Sequence, residues 1–337
     1  MGGPTAPLLP TRRRLWIVTG KGGTGKTTLT ATLALLATRA GSRVLVVSAN
    51  GDDALAGLLG LPPARTTEGQ IHAVAPRLSA LFMEPEASLA EYIDLQLHVG
   101  GLGKRLLSSR AFHGFLEAAP GWRDLVTLGN LWHLEQEQQG ARPRFDLIVV
   151  DAPATGHAFS LLSVPEVVLE AVRMGPLRRR AEDIRALLTD RTRTECVLVT
   201  QAEELPVRET LELASSLRGL GIALGPVLLN RWIQPLALDL ELAREALDGV
   251  PGRGAPWLAN PRALREVLDF RARRQAQHLR WLEELRKGFA EPLSESSSPS
   301  ESTAVWHVPD LTSPLEGWEG VCRLADALAP SAAELRP

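Results

Sequence analysis

The chain contains 337 residues, of which 45% are hydrophobic and 23% are charged, and its formal net charge is −2. This composition is typical of one large or two ordinary globular domains, and the near-zero charge argues against a nucleic acid partner. No run approaches the roughly 18–20 apolar residues of a membrane-spanning helix, and the first residues match neither a signal peptide nor a lipidation motif. Cys196 and Cys322 form no Cys-x-x-Cys zinc motif. We therefore expect a cytoplasmic protein without zinc.

Short apolar segments alternate with longer helical patterns along the chain. The segments lack polar alternation and are rich in β-branched residues, which predicts buried parallel strands. These predicted strands are 15–18, 44–47, 147–150, 197–199, 227–229 and 304–308. The predicted helices are 26–40, 166–188, 208–217, 236–247, 261–289 and 317–328. Such alternation predicts an α/β fold with a mainly parallel central sheet flanked by helices.

Two segments interrupt this alternation. The stretch between the second and third strands, 52–144, is far too long for a loop, so we predict a helical insertion at about 80–140. A Ser/Pro/Glu-rich segment at about 291–303 predicts a flexible linker. The whole pattern predicts a single domain over 15–328, with tails at 1–14 and 329–337.

The sequence GKGGTGKTT at 20–28 follows the first strand and opens the first helix. It matches the phosphate-binding pattern G-x-x-x-x-G-K-[ST] in the required strand–loop–helix context, whereas a glycine-rich turn with an incidental lysine would not need that context. Backbone amides of such a loop surround phosphate oxygens, its lysine reaches the β- and γ-phosphates, and its threonine hydroxyl binds Mg²⁺. We therefore predict ATP and Mg²⁺ as cofactors, bound by Gly20, Lys21, Gly22, Gly23, Thr24, Gly25, Lys26, Thr27 and Thr28.

The strand 147–150 ends in Asp151, which begins the segment DAPATGH. In a P-loop fold an aspartate at this place holds the Mg²⁺ shell, usually through water, so the predicted metal residues are Thr27 and Asp151. Pro153 and Gly156 make this segment able to approach the γ-phosphate and to move when it leaves. We favour a structural hydrogen-bonding role for His157 over a catalytic one.

Asn50 follows the second strand, where P-loop ATPases of this layout place the group that orients the attacking water. A carboxylate is expected there. Asparagine can hold a water by hydrogen bonds but cannot accept its proton at neutral pH. We therefore predict Asn50 as a catalytic-site residue, together with Lys21 and Asp151, and expect it to limit the rate of hydrolysis.

Three motifs resemble the ArsA-type ATPases, the family of the arsenical pump-driving and tail-anchored-protein targeting ATPases. They are GKGGTGKTT at 20–28, DAPATGHAFSLLSVPE at 151–166 and VLLNR at 227–231. The resemblance covers about 15–328 and also includes APGWRDLVTLGNLW at 119–132, which is similar to bacterial members.

This resemblance implies a Mg²⁺–ATP-driven homodimer of the deviant Walker A class. Lys21 would contact the partner's phosphates like an arginine finger, which suits a lysine that cannot easily turn back onto its own γ-phosphate. Gly156 and His157 would belong to the γ-phosphate sensor, Asn230 would hydrogen-bond adenine, and Pro309 would lie in the loop that covers the base. The family's arsenite-binding and zinc-binding cysteines have no counterparts, so we expect no metalloid site.

The sequence allows more than one interpretation of the dimer partner and of the rate of ATP hydrolysis. A single P-loop needs a second subunit, either a copy of this chain or a related ATPase. One alternative is a slow or non-hydrolysing regulatory subunit of a heterodimer, which Asn50 favours. Another is a MinD/ParA-like positioning ATPase, but the chain shows no membrane-binding tail or basic DNA-binding patch.

The predicted insertion is apolar and could serve either of two purposes. It could form a groove for an apolar client helix or a membrane partner, or it could pack onto the sheet, which is the commoner role of such side chains. Its apolar residues are Leu106, Leu107, Phe112, Phe115, Leu116, Trp122, Leu125, Leu128, Leu131 and Trp132.

Overall fold

The computed structural model describes residues 13–49, 53–63, 69–83, 121–234, 242–243, 245, 261–290, 303–311 and 315–333. Within these ranges the strands are β1 (Leu15–Gly20), β2 (Val44–Ser48), β3 (Ile71–Ala75), β4 (Leu78–Phe82), β5 (Gln138–Gln139), β6 (Arg142–Pro143), β7 (Leu147–Ala154), β8 (Thr194–Gln201), β9 (Leu224–Trp232) and β10 (Val305–Pro309). The helices are α1 (Lys26–Arg39), α2 (Asp53–Leu58), α3 (Trp122–Gln136), α4 (Thr155–Ala171), α5 (Pro176–Thr189), α6 (Glu204–Gly219), α7 (Pro261–Ala290) and α8 (Gly317–Ala333).

A central sheet joins eight of these strands in the order β10-β9-β8-β1-β7-β2-β4-β3. Its neighbouring strands are parallel except for the antiparallel pair β3 and β4. The short strands β5 and β6 form a separate antiparallel pair. This architecture confirms the predicted α/β class with a mainly parallel sheet.

Apolar side chains of the sheet pack on both of its faces. In β1, Leu15 and Ile17 belong to one apolar cluster, whereas Trp16 and Val18 belong to another on the opposite face. The first cluster includes side chains of α3 to α7, and the second includes side chains of α1, α2 and α8. Because successive side chains of a strand point to opposite faces, a strand covered on both faces needs apolar residues throughout. This is why the strands showed no polar alternation.

A β-hairpin occupies part of the segment for which only helices were expected. Strand β4 extends the sheet beside β2, with Val44 opposite Leu78, and β3 returns antiparallel to it. Only Pro76 and Arg77 connect them, and Arg77 has a positive φ of 66°. Tight hairpin turns usually carry Asn-Gly or Asp-Gly, so this turn gave no recognisable sequence signal. Leu78, Ala80 and Phe82 of β4 are buried.

The predicted helix 166–188 is two helices in the structure. Helix α4 already begins at Thr155, and a break over 172–175 separates it from α5. Gly175 has a positive φ of 108°, and Pro176 occupies the first turn of α5. Proline suits a helix start, and glycine tolerates a positive φ that interrupts a helix. The prediction of one continuous helix was therefore wrong.

Some apolar residues of the predicted insertion pack onto the sheet domain, and others lie outside the described residues. Leu128 and Leu131 of α3 are buried in the cluster beneath α4, and Leu125 and Trp132 pack against it. These four side chains therefore pack onto the sheet domain. The five apolar residues between 106 and 116 lie outside the described residues, as do most of the predicted helix 236–247 and of the linker 291–303.

Glu135, at the end of α3, is a buried carboxylate that ties this helix to the amino-terminal edge of the sheet. Only 1% of its side chain is exposed. Its Oε1 lies 2.8 Å from Nη1 of Arg14, and its Oε2 forms an ion pair with Arg193 and accepts a hydrogen bond of 2.7 Å from Gln136. Arg14 precedes β1 and Arg193 precedes β8, so the carboxylate joins three elements.

Replacing Glu135 by glutamine should therefore destabilise the fold. The substitution leaves two arginines, each about 30% exposed, without their counter-charge. We expect a loss of about 1–3 kcal/mol of unfolding free energy, because partial exposure reduces the usual cost of breaking a buried pair. Urea denaturation measures it. The control Glu182→Gln removes an exposed ion pair with Arg178 and should cost less than about 0.5 kcal/mol. Equal effects of the two substitutions would contradict the structural role of Glu135.

Candidate nucleotide site

The predicted site residues that the structure describes lie along one edge of the sheet. Gly20 ends β1, Ser48 ends β2, and Asn230 lies near the end of β9. Asp151 lies opposite Ser48 and Val18 in the register of β7. These strands are parallel, so their carboxyl ends meet at one edge, where open α/β sheets bind their ligands.

The loop between β1 and α1 passes so close to neighbouring chain segments that glycine is required at two positions. A Cβ atom on Gly20 would lie 2.0 Å from the backbone oxygen of Val199. A Cβ atom on Gly25 would lie 2.3 Å from Nδ2 of Asn230, and Gly25 has a positive φ of 93°. Larger residues at either position would force β8 or Asn230 away from the loop.

Hydrogen bonds within the loop hold it in a curled form. The backbone oxygen of Lys21 accepts a bond of 2.8 Å from Oγ1 of Thr24 and a bond of 3.2 Å from Nζ of Lys26. The Lys26 ammonium therefore lies across the loop, at the amino-terminal end of α1. This end has no side-chain cap, and the first-turn amides of a helix have no intrahelical acceptors. A curled loop at an uncapped helix terminus is suited to bind an anion.

Two side chains from β8 and β9 support the loop from outside. Nδ2 of Asn230 donates a bond of 2.7 Å to the backbone oxygen of Thr24, and Nε2 of Gln201 donates one of 3.3 Å to the backbone oxygen of Gly23. Asn230 was predicted to contact adenine, and its amide lies against the phosphate loop in this structure. Gln201 was not predicted, because a glutamine at a strand end has no distinctive pattern.

Asp151 is 3% exposed and lies beside the first helix. Oγ1 of Thr30 lies 3.3 Å from its Oδ1. Ser48, opposite Asp151 in the register, has a buried hydroxyl for which no hydrogen-bond partner exists among the described residues. A buried polar oxygen without a partner is costly, so this position beside Asp151 is suited to a bound water or a hydrated cation. Thr27 lies one residue into α1.

A hydrogen bond connects the segment after Asp151 to β1, just before the loop. Oγ1 of Thr19 donates a bond of 2.7 Å to the backbone oxygen of Pro153. Helix α4 starts at Thr155, and Gly156 and His157 are exposed on its first turn. Burial raises the pKa of Asp124 above its ordinary value, an effect that the nearby His157 opposes. His157 thus lies near α3, with which α4 packs.

Pro309, the other residue assigned to the base, ends β10 and lies opposite Trp232. The Trp232 ring stacks on His307 with a centroid distance of 4.2 Å. Burial lowers the pKa of His307 below its ordinary value, and Arg286 lowers it further. This stacked pair of Trp232 and His307 connects β9 and β10, the strands that carry Asn230 and Pro309. Asn50, the third catalytic candidate, lies outside the described residues.

One unpredicted contact involves Lys21 at the rim of the loop. Its Nζ donates a hydrogen bond to Oε1 of Glu209 on α6, forming an ion pair. The other carboxylate oxygen of Glu209 accepts a bond of 3.0 Å from the hydroxyl of Thr155. The hydrogen bond from Lys21 is the largest cause of a lowered Glu209 pKa. Glu209 is 188 residues from Lys21 in the chain, so no local pattern could have indicated this contact.

Comparison with known proteins identifies the protein family to which this chain belongs. A model of the family described as anion-transporting ATPases matches residues 13–181. The chain is 36% identical over 240 residues to "ATPase BagA" of Mycobacterium tuberculosis, covering 70% of each chain. It is 25% identical to a "Putative arsenical pump-driving ATPase" of Chlorobaculum tepidum, covering 65% of this chain and 61% of that protein. The chain therefore belongs to this ArsA-type family of ATP hydrolases, as the three motifs predicted.

Two properties of the described part of the chain bear on other functions. No helix there is long and apolar enough to cross a membrane, and no group of three or more histidine, cysteine or acidic residues there could hold a metal ion. Burial raises the pKa of the Cys196 thiol to about 12. Its reactive thiolate form is therefore scarce at neutral pH.

Proposed function

We propose that this ATPase is a Mg²⁺–ATP-driven dimeric switch whose site is formed by the loop Gly20–Thr28 and Asp151. The observation that carries the proposal is the curled loop with Lys26 lying across it at the uncapped start of α1. A loop that already has this form needs little reorganisation to bind phosphate, so less affinity is lost in ordering it.

The residues present fit Mg²⁺–ATP on two further observations. Gly20 and Gly25 leave room for backbone amides where any Cβ would collide. The Ser48 hydroxyl, which has no hydrogen-bond partner within the described part of the chain, lies opposite Asp151. Lys26 would neutralise the β- and γ-phosphates, Thr27 would bind the cation through its hydroxyl, and Asp151 would hold the cation's water shell. When bound, Mg²⁺–ATP supplies the phosphoryl group and the energy of its transfer to water.

The proposed dimer rests on Lys21. Its Nζ pairs with Glu209 on α6, and in the proposed dimer it would leave this partner. In a dimer that brings two loops face to face, Lys21 would reach the γ-phosphate of the partner subunit, where a positive charge stabilises the developing charge of phosphoryl transfer. Asn230 and Pro309 would hold the base, and Gly156 would follow the γ-phosphate. For the partner of the switch we propose an apolar client helix or a membrane protein, which the resemblance and the apolar residues between 106 and 116 support.

Light scattering of the wild-type protein tests the switch. With Mg²⁺ and a non-hydrolysable ATP analogue we expect a dimer, and with ADP or EDTA we expect a monomer. A mass that does not change with nucleotide would contradict the proposal. The same experiment with related ATPases from the same cell distinguishes a homodimer from a heterodimer, and capture of partners by the ATP-trapped protein would identify a client.

Asn50 favours a second candidate function, a slowly hydrolysing regulatory subunit. Replacing Asn50 by aspartate should then raise the hydrolysis rate by about 10²–10⁴-fold, because a carboxylate can orient the attacking water and accept its hydrogen bond as charge develops on that water. Steady-state phosphate release measures this change. The idea fails if the wild type already turns over as fast as aspartate-bearing relatives and the substitution has no effect or slows it.

A further inference from the structure

The carboxylate of Glu209 connects the phosphate loop to the helix that follows Asp151. One of its oxygens binds the Lys21 ammonium, and the other accepts a hydrogen bond from Thr155, the first residue of α4. The side chains of Lys21 and Glu209 are each 30% exposed. Both carboxylate oxygens of Glu209 therefore have partners at the same time, and this contact joins the phosphate loop, α4 and α6.

This contact is incompatible with a lysine that reaches another subunit. The backbone of Lys21 is fixed by the bonds that its carbonyl oxygen accepts from Thr24 and Lys26. Its side chain is therefore the part that must move, and Nζ must leave Glu209 before it can contact a phosphate of a facing copy. A partly exposed ion pair is weak enough to be broken by a doubly charged phosphate in a dry interface.

We propose that Glu209 is a positioning residue that holds Lys21 within its own subunit until Mg²⁺–ATP and a second copy are present, and that Thr155 transmits the release of Lys21 to α4. The proposal rests on the proposed dimeric switch and adds a residue that opposes dimerisation. The release frees one carboxylate oxygen at the start of α4. The contact between Thr155 and Glu209 then changes together with the γ-phosphate-sensing segment.

The holding contact exists at neutral pH. The hydrogen bond from Lys21 is the main reason why the pKa of Glu209 lies below the ordinary carboxyl value. The hydrogen bond from Thr155 acts in the same direction. Glu209 is therefore ionised in the resting protein. A dimer that forms only from molecules with a released Lys21 has an apparent affinity reduced by the square of the released fraction, because both subunits must release their lysine.

The test compares Glu209→Gln with Glu212→Gln, a control on the exposed side of the same helix. With Mg²⁺ and a non-hydrolysable ATP analogue, sedimentation should show dimerisation about threefold to tenfold tighter in Glu209→Gln. Hydrolysis at protein concentrations below the dimer Kd should rise by a similar factor. Glu212→Gln should match the wild type in both measurements. Weaker or unchanged dimerisation of Glu209→Gln would overturn the proposal.

A second measurement needs no dimer. Acylation of lysines in the nucleotide-free protein, followed by mass spectrometry, should modify Lys21 at least about threefold faster in Glu209→Gln than in wild type, because a paired ammonium reacts slowly. Equal rates would show that Glu209 does not hold Lys21. If the acylation rates differ but Lys21→Ala dimerises like wild type, the holding contact stands and it is the role of Lys21 in the dimer that fails.

Discussion

Replacing Lys26 by alanine is expected to raise the Kd for Mg²⁺–ATP by about 100-fold or more. The Lys26 ammonium lies across the loop, 3.2 Å from the backbone oxygen of Lys21, at the uncapped start of α1. Removing it takes away the point charge that would neutralise the β- and γ-phosphates, and each tenfold loss of affinity corresponds to about 1.4 kcal/mol. Isothermal titration calorimetry measures the change.

A suitable control is Lys287→Ala. Lys287 is exposed on α7 and pairs with Glu283 and Glu284, so its loss should leave ATP affinity unchanged. Circular dichroism should show both variants folded, because the Lys26 side chain contributes little to the core. Unchanged ATP affinity in Lys26→Ala would exclude the loop at 20–28 as the nucleotide site.

Replacing Lys21 by alanine is expected to separate nucleotide binding from catalysis. If Lys21 acts on the partner's phosphates, ATP affinity of the monomer should fall only modestly, about threefold or less. Nucleotide-dependent dimerisation and hydrolysis should both be lost, because a charge aimed at the γ-phosphate in a dry interface acts strongly. Calorimetry, light scattering and phosphate release measure the three quantities on the same preparation.

Mixing the two variants sharpens this test. In a mixed dimer the Lys21→Ala subunit binds ATP through its own Lys26 and receives an intact Lys21 from the Lys26→Ala subunit. Each mixed dimer has one complete site out of two, so part of the wild-type activity should return. If the mixture is no more active than its parents, or if Lys21→Ala dimerises normally, Lys21 does not act across an interface.

Most of the sheet and the phosphate loop were predictable because their causes are local. Strands buried on both faces need apolar residues on both, which is a pattern visible in a short run such as Leu15–Val18 of β1. The loop needs Gly20 and Gly25 because any side chain would collide with Val199 or Asn230. Such a requirement is visible in the sequence as a glycine at that position. The family followed from the same motifs and is confirmed by the match over residues 13–181.

The hairpin and the helix break show where local patterns fail. Strand β4 owes its place to pairing with β2, in which Val44 lies opposite Leu78, 34 residues further along the chain. The Pro76–Arg77 turn between β3 and β4 lacks the residues that usually indicate a hairpin. The break between α4 and α5 depends on the conformation of Gly175. A helical pattern continues across that glycine in the sequence, because apolar periodicity does not report a backbone angle.

The sequence alone determined the class of this protein and the loop that would bind its nucleotide, since both depend on residue types at fixed short spacings. Only the tertiary structure placed Gln201 and Asn230 against that loop, gave the buried Glu135 its two arginines, and brought Glu209 to Lys21. These contacts join residues from 58 to 206 positions apart. At such separations the geometry is decided by how the helices pack on the sheet, and no periodicity or motif along the chain encodes it.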